Sequence, residues 1–190
     1  MSHLRRFPIS GHTYFFTVRL LDPQSALLVS EIDLLRDATR LCRKQLPFDI
    51  DAAVILPHML HMIWTLPDGD TDFSKRWRLI KSSFSRHVPA PDHIPAGRRR
   101  RGEKGIWQRR FWVHPIRDQA DFDLHMHVIR SAPIHAGLVK RPGAWPYSSM
   151  ALVPASQKPV KTIAPVPSSH NPATAATTSR TALIGTNEMS

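Results

Sequence analysis

Between Lys75 and Arg110 the chain carries twelve basic residues against only Asp92 and Glu103, so nearly all of the formal net charge of +11 falls in this stretch. Clustered Lys and Arg attract a polyanion, and each phosphate they neutralise releases condensed counterions. Arg98 to Arg101 set four guanidinium groups in sequence, a repulsion that an anion would offset. Trp77, Trp107, Phe111 and Trp112 are interleaved with Arg76, Arg78, Arg109 and Arg110. An aromatic face can stack on a nucleobase while a neighbouring cation meets its phosphate. An isolated charge run is usually a solvated helix face with a loop, but this interleaving favours nucleic acid. The candidate binding residues are Lys75, Arg76, Arg78 and Lys81 on a predicted helix, and Arg98, Arg99, Arg100 and Arg101 in a predicted loop. Arg109 and Arg110 on the following strand complete the basic set, with Trp107 as the stacking candidate. On an alternating strand Arg109 and Arg110 face opposite sides, so one of them is expected at a given surface. Trp77 and Phe84 are expected in the core.

The elements that must carry these groups belong to one folded unit. A chain of 190 residues, 42% hydrophobic and 22% charged, can bury a core and is neither a wholly disordered polymer nor a membrane bundle. No apolar run approaches the roughly 18 residues of a spanning helix, and polar breaks interrupt the first fifteen residues. A membrane surface is the competing polyanion, and a cytoplasmic protein is the expectation. The single cysteine, Cys42, can form neither an internal disulfide nor a thiolate metal cage.

Tyr14 to Leu21 is rich in aromatic and β-branched residues and predicts a strand closed by Asp22-Pro23. Ile32, Leu35, Ala38 and Leu41 recur at helical spacing and predict a helix ending before Pro47. Phe48 to Leu56 and Leu60 to Leu66 predict two strands joined tightly through Pro57. Asp72 is the expected N-cap of a second helix burying Trp77, Ile80 and Phe84, with Lys75, Arg78 and Lys81 in water. Residues 88 to 104 carry three prolines and two glycines and predict a mobile loop. A strand over Ile106 to Val113 and a third helix over Asp118 to Ser131, ended by Ala132-Pro133, follow. Residues 1–150 are expected as one domain, and 151–190, rich in Pro, Ala, Ser and Thr, as a disordered tail. The element order is that of an α+β, ferredoxin-like sandwich, an antiparallel sheet with helices packed on it.

Five segments carry a further signal: YFFTVRLLD (14–22), ILPHMLHMIWTLPDGD (55–70), FSKRWRLIKSSFSR (73–86), GIWQRRFWVHPIRD (105–118) and HAGLVKRPGAWPYSS (135–149). In this order they resemble the REP-associated tyrosine transposases, which belong with the single-tyrosine HUH transposases. The resemblance implies binding of palindromic repeat DNA as single strands or imperfect hairpins. It also implies DNA transposition chemistry, in which a tyrosine hydroxyl attacks phosphorus while a divalent ion (Mg or Mn) held by two histidines polarises the phosphate.

The chain departs from that pattern where the chemistry would be done. The family metal motif, Leu-Pro-Asp-His-hydrophobic-His, aligns with Leu56, Pro57, His58, Met59, Leu60 and His61. His61 remains, while Met59 offers a thioether poorly suited to hard ions. His58 would join His61 only if the turn after Pro57 swung it round. The family nucleophile aligns with Val128, the polar residue one turn later with Ala132, and the glutamate of a Phe-Trp-Glu-His run with Val113. The only tyrosines are Tyr14 and Tyr147. The resulting expectation is a transposase-family protein that binds hairpin or single-stranded DNA and has lost cleavage. The alternatives are an active enzyme with a rebuilt site, using Tyr14 or His127 as nucleophile or His58, His61, His114, His125 and His127 around a softer metal, and a decayed element. Stacking and phosphate contacts alone do not separate DNA from RNA.

Overall fold

The computed structural model describes residues 12–91, 94 and 96–151, so the expected tail from residue 152 lies outside the described residues. The elements are β1 (Thr13–Arg19), α1 (Leu27–Ser30), α2 (Ile32–Gln45), β2 (Asp49–Ile55), β3 (Met59–Thr65), α3 (Phe73–His87), α4 (Ala96–Arg99), β4 (Trp112–Pro115) and α5 (Gln119–His135). They form the expected α+β sandwich. Its antiparallel sheet has the order β2-β3-β1-β4. The central strand β1 buries Phe15, Phe16 and Val18, as an aromatic and β-branched run covered on both faces must.

Alternation along the strands separates two faces. Phe16 and Trp64 point toward α3, where Trp64 and Trp77 stack with ring centroids 4.3 Å apart. Ile32, Leu35, Ala38 and Cys42 supply the buried stripe of α2 beside it. Asp72 caps α3 by accepting from the Lys75 backbone N–H at 2.9 Å. The opposite face carries Phe15, Thr17 and Arg19 of β1, paired in register with Ile63, His61 and Met59 of β3. Helix α5 crosses this face, bringing His125 to 4.6 Å from the Phe15 ring. Among the described residues no helix is long and apolar enough to cross a membrane.

Three local expectations are corrected. The segment 88 to 104 is not simply a mobile loop: it contains α4, and Lys104 Nζ donates to the carbonyls of Ser85 and Val88 at the end of α3. The strand predicted over 106–113 is regular only at Trp112–Pro115. Its beginning bonds to the end of β1 through Leu21 N–H to Ile106 O and Gln108 N–H to Arg19 O. The chain then leaves β1 over 109–111 and rejoins it where Trp112 faces Thr17. Helix α5 does not stop at Ala132-Pro133. Pro133 lies in its last turn, the helix runs on to His135, and Gly137 just beyond it takes a φ of 68° that suits glycine.

Candidate nucleic-acid interface

The departure of residues 109–111 from β1 opens a cleft of about 630 Å³ on the α5 face of the sheet. Its floor is Phe15, Thr17 and Arg19 from β1 and His61 from β3, and its rim is Gln108, Arg110 and Trp112. His125 and Val128, three residues apart and therefore on one face of α5, close it from above. Thr17 Oγ1 and His61 Nδ1 lie 2.8 Å apart. Burial, reinforced by the Arg19 charge, pushes His61 down to about 4, so its imidazole is neutral at physiological pH. His58 is lowered by burial and by Arg19, against Asp22. It sits in the turn closed by Leu56 N–H to Met59 O and does not line the cleft with His61.

The tyrosines are elsewhere. Tyr14 alternates to the other face and packs 5.0 Å from the Phe73 ring. Tyr147 is buried against Trp145 in the closing segment. Met59 shares the cleft face by register, whereas Val113, opposite Phe16, points away from it. Val113 therefore does not belong with Met59, Val128 and Ala132 as a change within one constellation.

The residues that the resemblance aligns with the family's metal motif and nucleophile do not fit a hard divalent ion. His61 gives one imidazole, Met59 a thioether, and Val128 and Ala132 no donor. A different group converges beside the cleft: His114, Asp121 and His125, with one ligand atom each, all within 4.8 Å. It forms a closed hydrogen-bond network. His114 Nε2 lies 2.8 Å from Asp121 Oδ2, the Arg117 backbone N–H donates to the same oxygen at 3.1 Å, and His125 Nδ1 lies 3.1 Å from Oδ1 and 2.8 Å from the Asp121 carbonyl. Burial pushes Asp121 up, but His114 and Arg117 outweigh it and hold the carboxyl down to about 2.

The basic candidates divide into surface and structural groups. Lys75 and Arg78 are exposed on α3, on the stripe that continues through Lys81 to Ser85. Arg99 and Arg100 are exposed and have no acidic partner among the described residues. Arg101 and Arg109 share Glu103, and Arg110 reaches the cleft. Arg98 is held inward by Glu103 and by the Trp107 carbonyl at 2.9 Å. Lys81 is half-buried and not in open water: Nζ donates to the Gln108 carbonyl at 3.0 Å and lies over Trp107 and Phe111. Burial, and then the Arg98 charge, lower it to about 8.

Two candidates are corrected outright. Arg76 is 1% exposed, pairing with Asp70 at 2.7 Å and donating to the Pro47 carbonyl at 2.8 Å. It is an internal clamp because α3 turns that position toward α2. Trp107 is 8% exposed, packs on Phe84 and donates Nε1 to Ser85 Oγ at 3.1 Å, so it offers no open face for stacking. The candidates omitted Arg19, Gln108 and Trp112. Alternation from Phe15 through Thr17 would have found Arg19, but Trp112 needed the chain path of 109–111.

No family model matches the chain. It is similar to the REP-associated tyrosine transposase of Escherichia coli strain K12, 42% identical over 149 residues covering 78% of this chain and 82% of that protein. A candidate REP-associated tyrosine transposase of Haemophilus influenzae is 37% identical over 150 residues, covering 78% of this chain and 85% of that one. Among solved structures the chain matches a REP-associated tyrosine transposase bound to a REP hairpin, with a TM-score of 0.62 at 42% identity over 78% of this chain and 82% of that chain.

Proposed function

The chain belongs to the REP-associated tyrosine transposases, and from that premise we propose that it binds palindromic-repeat DNA, as a hairpin or its single-stranded flank, without cutting it. The binding half is supported by the relative solved with a REP hairpin and by the basic side chains on α3, α4 and the cleft rim. Lys75, Arg78, Arg99, Arg100, Arg101, Arg109 and Arg110 are the exposed candidates that would meet phosphates, with Arg101 and Arg109 shared with Glu103. Arg98, Lys81 and Arg76 would act indirectly, by holding the segments that present them.

One observation carries the loss of cleavage: the wall of the cleft at the nucleophile position is the hydrocarbon of Val128, and neither tyrosine lines the cleft. Attack on phosphorus needs an oxygen, sulfur or nitrogen nucleophile within reach of the phosphate. Neutral His61 with Arg19 and Arg110 can hold a phosphodiester there, but none of them stands where the family tyrosine would. The test uses a labelled hairpin oligonucleotide with manganese, read on native and denaturing gels. Retention of intact DNA is expected. Shortened DNA that disappears when a residue of this chain is substituted would overturn the proposal and favour a rebuilt site.

A further inference from the structure

Four of the five tryptophans, Trp64, Trp77, Trp107 and Trp145, are between 0% and 8% exposed, whereas Trp112 is 53% exposed. Burying an indole favours folding by a few kcal/mol, so an indole left in water on a structured strand is unexplained by the core. The ring is also fixed in direction. It lies parallel to His114, with an interplanar angle of 7° and centroids 5.7 Å apart, and edge-on to Phe15 at 5.7 Å. His114 is pinned by Asp121 and stacks in turn on His125 at 4.6 Å. Trp112 is thus the exposed member of a ring cluster in which it meets Phe15, His114 and His125 directly, and Phe15 in turn stacks on His61. Arg110, two residues earlier, lines the same cleft and has no acidic partner among the described residues.

We propose that Trp112 is the base-stacking platform of this cleft, taking one unpaired nucleobase of single-stranded DNA with its phosphate toward Arg110. The inference rests on the hairpin-binding reading and adds to it where the unpaired strand goes. An indole held by its neighbours gives up little freedom on binding, and a stacked base adds sequence-tolerant affinity that phosphate contacts alone do not provide. The network of Asp121 has a role in this account: it fixes His114, and His114 fixes the platform.

The test uses a hairpin oligonucleotide with a single-stranded extension and a blunt duplex of the same stem. In the wild-type protein, the indole emission open to iodide quenching belongs to Trp112, and it should become shielded or quenched when the extended hairpin binds. Trp112→Ala should weaken the extended hairpin roughly five- to a hundred-fold and leave the blunt duplex unchanged, with Trp112→Phe recovering most of the loss. Emission that stays open to iodide in the complex would overturn the proposal. So would a Trp112→Ala protein with wild-type affinity for the extended hairpin, or shielding by self-association without DNA. If neither oligonucleotide binds, the hairpin-binding reading fails together with it. If both bind without involving Trp112, this inference alone fails.

Discussion

Replacing Arg76 by Ala separates a structural cation from a binding one. The guanidinium pairs with both oxygens of Asp70, at 2.7 and 3.1 Å, and donates to the carbonyls of Pro47 at 2.8 Å and Asp72 at 3.1 Å. It ties the start of α3 to the connection between α2 and β2. Breaking a buried pair costs about 3–5 kcal/mol. The Asp70 side chain is 33% exposed and can regain water, so the low end, about 3 kcal/mol, is expected. For a chain of this size that lowers Tm by about 6–12 °C. Arg78→Ala, an exposed change, should stay within about 0.5 kcal/mol. Thermal denaturation and hairpin affinity are measured on both variants at a temperature where each is folded. Arg76→Ala should lose stability and keep its affinity, and Arg78→Ala should do the reverse. An Arg76→Ala protein with wild-type Tm and a large loss of affinity would refute the assignment.

Stability should fall with acid in two steps. His61 is held at about 4 against an ordinary 6.5, so its contribution is whole above pH 6.5 and is lost as the unfolded chain takes up the proton between there and pH 4, roughly 3 kcal/mol in all. Asp121, held at about 2 against 3.8, contributes roughly 2 kcal/mol above pH 3.8 that disappears toward pH 2. Urea unfolding across pH should flatten in the upper limb for His61→Gln and in part of the lower limb for Asp121→Asn. A wild-type curve level from neutrality to about pH 4 would contradict both the burial of His61 and its cause. Within the arginine run, Arg99→Ser with Arg100→Ser should weaken DNA binding at unchanged Tm. Arg98→Ser should lower Tm, because it frees the Trp107 carbonyl and Glu103. Equal effects from both would show that the run acts only as diffuse charge.

The fold was legible because its periodicities are strong: β1 alternates through aromatic residues, α2 repeats Ile32, Leu35 and Ala38, and Asp72 caps α3 as a short acceptor should. The ends of elements were less so. Pro133 reads as a stop, yet α5 carries it and runs on to His135. For the binding side chains, residue type was visible but direction was not. Arg76 and Arg78 differ by two positions, about 200° around a helix, which places one against Pro47 and the other in water. Trp107 and Trp112 look equivalent in sequence. One lies beneath Lys81 and Phe84 and the other on the cleft rim, because the chain leaves β1 between them and returns. The residue types at Met59, Val128 and Ala132, where the resemblance expects a ligand, a nucleophile and a polar group, were visible in the sequence, whereas only the strand register showed that Val113 faces the other way.

We propose that this chain grips hairpin DNA through its basic face and that its cleft presents Val128 where the resemblance places a nucleophile. Intact-mass analysis of the protein after incubation with a hairpin oligonucleotide and manganese, beside a salt titration of the same complex, tests it directly. Protein of unmodified mass is expected, with affinity that falls steeply with salt at a log-log slope near −4 for about six phosphate contacts on a single strand. A species heavier by the mass of an oligonucleotide fragment, traced to any one side chain, would contradict it.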